Sequence, residues 1–319
     1  MNRDGNGNGG YGGGAPRGDR GDRGGFGGQG GTGGNGGPGG KPTGNLPPWK
    51  LRPRGNAKVA KGSEGAVWLD EELKAVADLK TDKARERTGQ YLVEGVRAVE
   101  TILDRAKENL VAIYETEGLV WNRSLLTRSP GKVPVRTIPE REMELLSSTK
   151  TQQGLVAVAI SRALRINWDT AKRVTLVDAI QDPGNLGALF RSCAAFGFDA
   201  VVLGKGTVDA WNPRVVRGSS GLIATVPFEA SARLEQTIEF LRNKGFTIVG
   251  TSPHGKDTID TANLKRKVAL VVGNEGKGAS ANILDKCDAK VKIPMIPGVE
   301  SLNVSVAHGI LAAGLFGRE

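Results

Sequence analysis

Five short apolar runs recur in the second half of this chain, with helical patterns between them: Val174 to Ile180, Ala200 to Leu203, Phe246 to Ser252, Val268 to Gly273 and Lys290 to Met295. Their length suits strands rather than helices. The clearest helix between them carries Leu186, Leu189, Phe190 and Cys193 at i, i+3, i+4 and i+7. Strands alternating with helices predict an α/β fold whose sheet is mainly parallel and covered on both faces.

A smaller α/β unit precedes it. Trp68 to Arg87 reads as one helix, with Leu69, Leu73, Val76 and Leu79 at helical spacing. Tyr91 to Ala106 reads as a strand followed by a helix. Val111 to Glu115, Val133 to Pro139 and Gln153 to Ile160 suit strands, and a short helix follows Pro139. Arg162 to Lys172 is a polar linker.

The N-terminus is different in kind. Of the 47 glycines, 22 fall in the first 44 residues. Such a stretch has almost nothing to bury and predicts disorder. The expected division is a Gly-rich tail over 1–65, a small α/β domain over 66–165 and a larger domain over 170–319. Residues 1–65 hold ten Lys/Arg against four acids, which is +6 of the total +10. The basic tail is either a non-specific phosphate binder or a solubilising extension.

Two cysteines without a CxxC pair and two distant histidines support neither a disulfide scaffold nor a metal site. The longest apolar runs are too short to span a membrane, and the first residues lack a secretory signal's apolar core. A protein of a reducing, cytoplasmic compartment is expected.

Three segments carry the chemistry. In the first, Asp182-Pro183-Gly184-Asn185 is a turn by residue type, and Asn185 is placed as the cap of the following helix. Arg191 lies off that helix's apolar stripe. Read alone, these are a cap and a surface charge. In the second, Gly273-Asn274-Glu275-Gly276-Lys277-Gly278 directly follows a strand. It fails the spacing of a nucleotide-binding phosphate loop, which needs glycine where Val271 stands and Ser or Thr where Gly278 stands. Its glycines are expected to let backbone approach a flat ligand. In the third, Pro294 and Pro297 predict an exposed loop over 296–300, and Ser301 and Asn303 open the last helix.

Together, and in this order, these segments closely resemble the signature motifs of the SpoU/TrmH-type RNA 2′-O-ribose methyltransferases, of the SPOUT class. The resemblance covers about the last 150 residues. It implies a trefoil-knotted parallel-sheet domain, which sequence alone would argue against, since knots are very rare. It implies S-adenosylmethionine as cofactor, lined by Gly273, Ile293, Met295, Ser301 and Leu302. It implies active-site roles for Asn185, Arg191, Glu275, Ser301 and Asn303, with no metal. The partners implied are RNA, ribosomal before transfer RNA, and a second copy of the chain. Arg87, Glu94-Gly95 and Gln153-Gly154 resemble, more loosely, the family's N-terminal RNA-binding domain. Asp209 to Gly221, with Arg214 and Arg217, is similar to a stretch near the family's active site, so these arginines are expected to meet RNA phosphate.

Rival readings remain. A catalytically silent RNA-binding assembly factor would need a degraded cofactor loop, whereas all the motif positions are filled. A base methyltransferase fits the Asn185/Arg191 pair less well. A nucleotide-binding dehydrogenase fails because GxGxxG-like strings occur only in the tail, with no strand before them.

Overall fold

The computed structural model describes residues 70–128, 133–149, 151–264 and 266–316. The Gly-rich tail, and the disorder expected of it, lie outside these residues.

The expected first helix is two. Helix α1 (Glu71–Asp78) is capped by Asp70, which accepts from the Leu73 amide at 2.9 Å. Thr81 then caps α2 (Asp82–Thr88), and Gly89 closes it at φ 63°. The apolar spacing of Leu73, Val76 and Leu79 is helical, but Thr81 offers its hydroxyl to the Ala84 amide and restarts the chain. Next come β1 (Gln90–Glu94), α3 (Val96–Arg105), β2 (Leu110–Thr116), β3 (Val135–Ile138), α4 (Glu140–Leu146) and β4 (Leu155–Ile160). They form a four-stranded sheet of order β1-β4-β2-β3.

The second sheet contains β5 (Arg173–Val177), β6 (Ala200–Gly204), β7 (Phe228–Ser231), β8 (Thr247–Thr251), β9 (Val268–Val272) and β10 (Ala289–Val291). Its order is β10-β8-β9-β5-β6-β7, and every pairing is parallel. Strand β7 is absent from the sequence-based reading. It is short, lies on the edge and exposes Glu229 and Ala230, so no apolar run marks it. The connecting helices are α5 (Pro183–Ala195), α6 (Pro213–Gly218), α7 (Leu234–Asn243), α8 (Ala281–Leu284) and α9 (Val304–Leu315).

Both faces of this sheet are buried. Along β9, Val268, Leu270 and Val272 enter one core cluster while Ala269 and Val271 enter another. That alternation is the period of two expected of a covered strand. The first cluster also takes in Leu186, Leu189, Phe190 and Cys193 of α5, as their spacing predicts, and runs on into Tyr91 and Ala157 of the small sheet and Val99 of α3.

The β10 edge is closed by the loop after β8. Val291 pairs with Thr251 on one side and bridges Asp257 on the other. The Ser252 amide donates to the Val291 carbonyl at 3.0 Å, and the Lys292 amide donates to that of Asp257 at 2.8 Å. Gly255 lies against this crossing, where a Cβ would stand 2.6 Å from the Val291 carbonyl carbon. The loop thus arches over β10, and a side chain at 255 would force it off.

Candidate active site

The turn after β5 departs from the expected one. Asp182, not Asn185, caps α5, accepting from the Asn185 amide at 3.0 Å with Pro183 in the first turn. Proline belongs there because its missing N–H is not needed at that position. Asn185 is therefore inside the helix, and its side chain is free for other contacts.

Those contacts draw three loops together. Asn185 Nδ2 donates to Glu275 Oε1 at 3.1 Å, and Asn185 Oδ1 accepts from Asn303 Nδ2 at 2.8 Å. Glu275 also accepts from the amides of Gln181 at 3.2 Å and Asp182 at 2.9 Å. Asn303 caps α9 as expected, its Oδ1 taking the Ser305 amide at 2.9 Å and the Ser305 hydroxyl at 2.7 Å. The direction of this chain is fixed at both ends. A carboxylate can only accept, and the helix amides can only donate, so each asparagine has one orientation that satisfies both neighbours. Partial burial would raise the Glu275 pKa. The bonds from Asn185, Asp182, its own amide and Gln181 outweigh it and hold the carboxyl below its ordinary value.

The loop after β9 is tied to itself. Asn274 and Gly278 exchange backbone hydrogen bonds at 2.9 and 2.8 Å. Asn274 Oδ1 accepts from the Gly276 and Lys277 amides, and its Nδ2 reaches the Ala179 carbonyl at 3.0 Å. A Cβ on Gly273 would overlap the Ala279 amide and the Gly278 carbonyl carbon. The loop's own return thus requires the glycine. Asn274, which organises the loop, was missed by sequence reasoning, although Asn after a strand is a turn signal.

A cleft of about 310 Å³ opens beside this loop. Gly273, Ile293, Met295, Ser301 and Leu302 line it, as does Glu275. Thr251, which ends β8, Ser252 and Pro253 just after it, and Glu300 also line it without having been foreseen. Their signal was the same as that of the other motifs, a strand running into a polar turn. Asn185, Asn303 and Arg191 are not in the cleft wall. Arg191 is exposed on α5, with no side-chain hydrogen bond or ion pair to the described residues.

The two arginines of α6 divide. Arg214 is 58% exposed, with Asp182 at 3.7 Å as its ion-pair partner. Arg217, also expected to meet RNA phosphate, spends one head-group nitrogen within the protein: Nη1 donates to Glu94 at 3.2 Å and to Ser148 Oγ at 3.0 Å. His308, on α9, is fully buried between Ser192 Oγ at 2.9 Å and Thr175 Oγ1 at 3.0 Å.

Comparison with known proteins finds matches to both the small and the large unit. Residues 172–313 match the SpoU rRNA Methylase family, and residues 70–157 match the MRM3-like substrate binding domain. The 23S rRNA (guanosine(2553)-2′-O)-methyltransferase RlmP of Bacillus subtilis is 32% identical over 256 residues, spanning 78% of this chain and 97% of the relative. A TrmH-family structure from Porphyromonas gingivalis superposes with a TM-score of 0.67 at 27% identity, covering 80% of this chain and all of that one. The SpoU methyltransferase AviRb of Streptomyces viridochromogenes, solved with AdoMet, gives 0.67 at 23% identity over 78% of this chain and 97% of its own. At that identity the likeness speaks for the fold. With a relative of this identity matched over nearly its whole length, the chain belongs to the SpoU rRNA methylase family.

Proposed function

We propose that this protein transfers a methyl group from S-adenosylmethionine to a ribose 2′-hydroxyl in RNA, with ribosomal RNA the first candidate substrate and transfer RNA the second. The observation that carries the reading is Glu275, which belongs both to the cleft wall and to the Asn185–Asn303 chain. One carboxylate joins a ligand pocket to a rigid set of polar side chains.

The cleft suits the cofactor. Its volume is of the order of small-ligand sites, roughly 300–1,000 Å³. Ile293, Met295 and Leu302 offer apolar surface, and the loop from Gly273 to Gly278 offers backbone polar groups and no bulky side chain at its start. When bound, the cofactor supplies an activated methyl group on its sulfonium. Ser301 and Asn303 are assigned to hold the ribose. Arg191 is assigned to meet the RNA phosphate and to stabilise the oxygen as its proton leaves. A guanidinium stays protonated, so the proton is assigned to a phosphate of the RNA itself. The protein's contribution is positioning and preorganised charge.

Two further features support the family's build. The loop over 252–257 arches across β10, as a threaded, knotted C-terminal segment requires. Val306 and Ile310 lie one turn apart on α9 and are exposed, as is Phe316 beyond its end; this apolar strip suits a second copy of the chain. A ribosomal substrate rests on what the Bacillus subtilis relative is named for, and with it goes a place in the cytoplasm.

The test uses labelled S-adenosylmethionine and ribosomal RNA from cells lacking the gene. Label on one ribose is expected, at least a hundredfold slower with Arg191→Ala at unchanged cofactor affinity. Label on a base, or none, overturns the reading.

A further inference from the structure

Away from the cleft, polar side-chain ties join the small unit to one segment of the larger, residues 209–218. Glu94 ends β1 and is 5% exposed. Its carboxylate accepts from the hydroxyls of Ser147, Ser148 and Thr149, from the Ser148 amide at 3.1 Å and from Arg217 Nη1 at 3.2 Å. Burial would raise its pKa, but the hydroxyl and amide donors outweigh it and keep the carboxyl below its usual value. Arg85, on α2 and 3% exposed, sends Nε to Asp209 Oδ2 at 2.8 Å and Nη2 to the same oxygen at 2.7 Å. Between these ties Tyr91 lies on Trp211, ring centroids 4.4 Å apart.

The other side of the segment rests on α5. A Cβ on Gly187 would stand 2.6 Å from the Val215 carbonyl oxygen and 2.9 Å from Gly218 Cα. Helix α6 therefore packs on α5 with backbone against backbone, and α5 carries Asn185 and Arg191. A buried ion pair is weak evidence for stability, because desolvation offsets most of the attraction. Its better-attested role is to specify one arrangement among several. Here two buried charges and one aromatic stack specify the same arrangement.

We propose that residues 209–218 form a rigid bracket holding the small sheet at a fixed distance from Asn185 and Arg191. In it, the Arg217–Glu94 pair is a positioning contact that decides which ribose of a bound RNA reaches the site. The inference rests on the RNA-methyltransferase reading. With the bracket intact, RNA held by the small sheet presents one ribose. With the pair loosened, the small sheet is left to its other contacts and the polar linker, and neighbouring riboses can reach Asn303.

The experiment compares full-length wild type with Arg217→Ala, Arg217→Lys and Glu94→Gln, mapping every methylated ribose and measuring cofactor affinity, KM for RNA and kcat. Glu94→Gln keeps an acceptor for the hydroxyls, so it carries the test even if Arg217→Ala does not fold. The expected result for Arg217→Ala and Glu94→Gln is unchanged cofactor affinity, an RNA KM raised about tenfold and methyl groups spread over adjacent riboses. Arg217→Lys should restore part of the selectivity, and the double variant should be no worse than the worse single one. Variants that mark the same single ribose with wild-type KM overturn this inference alone. So does a loss of cofactor affinity in step with methylation, which would make the pair merely structural. A wild-type protein that methylates no ribose overturns the parent reading, and this one with it.

Discussion

The side-chain amide of Asn303 donates to the side-chain oxygen of Asn185 at 2.8 Å, joining residues 118 apart in the chain. The two come from the third and the first of the Gly/Asn-rich motifs, and Glu275 of the second completes the series. Asn303 has two duties, since its oxygen also caps α9.

Those duties separate by substitution. Asn303→Asp keeps an oxygen for the Ser305 and Val306 amides but has nothing to donate to Asn185. It should hold the wild-type melting temperature to within a few degrees and slow methyl transfer at least tenfold. Asn303→Ala should lose both, with the lost cap costing roughly 0.5–2 kcal/mol. Wild-type turnover in Asn303→Asp would show that the donation to Asn185 is dispensable.

The glycine loop gives a second test. A Cβ at Gly273 overlaps backbone rather than a flexible side chain, so the loop from Asn274 to Gly278 has to move. Gly273→Ala should weaken S-adenosylmethionine binding more than tenfold by calorimetry. Gly276→Ala, whose Cβ would find only Asn274 Oδ1 at 3.7 Å, should bind nearly as wild type. Equal affinities in the two variants would mean that the loop's shape does not set the cleft.

His308 predicts a pH dependence of stability. Burial lowers its pKa from 6.5 to about 3. The unfolded chain binds a proton near pH 6.5 that the folded chain refuses until far lower. The unfolded state is therefore favoured as pH falls through that window, and stability is lost. Between pH 7 and pH 5 the loss should be about 2 kcal/mol from this group. His308→Gln, which retains a donor and an acceptor for Ser192 and Thr175, should flatten the profile whatever its own stability. Parallel denaturation profiles for the two proteins would rule this out.

Much of this was legible in the sequence because it is local. The α5 stripe, the strands of the large sheet apart from β7, and the cap at Asn303 each depend on residues within a turn or a strand of one another. The cleft positions Gly273, Ile293, Met295, Ser301 and Leu302 came from motif resemblance, and they line one cavity. The Asn185 error was avoidable, since Asp182-Pro183 already spells a cap followed by proline in the first turn. Other features were not legible, because partners far apart leave no periodic trace. Nothing near Arg217 points to Glu94, 123 residues earlier. Nothing in the pattern of α9 tells that His308 is sealed against β5.

The last prediction concerns Arg214, the arginine of α6 that the bracket leaves uncommitted. Its head group stands 3.7 Å from Asp182, too far for a hydrogen bond, and an exposed pair of this kind contributes about 0–1 kcal/mol. Asp182 caps the helix that carries Asn185 and Arg191, so Arg214 lies beside the assigned site with its donors unspent. A guanidinium so placed suits a phosphate flanking the target ribose. Arg214→Ala should leave the melting temperature and cofactor affinity unchanged and should mark the same ribose, because base and register contacts lie elsewhere. What should change is the salt dependence of RNA binding. One phosphate contact is worth roughly 0.7–0.9 in the slope of log K against log salt, and the variant's slope should be shallower by about that much. Arg217→Ala should behave in the opposite way, shifting the methylated ribose while changing the slope little. If Arg214→Ala binds RNA with the wild-type slope, α6 does not face the phosphate backbone, and the arginine's neighbour Asp182 is its whole function.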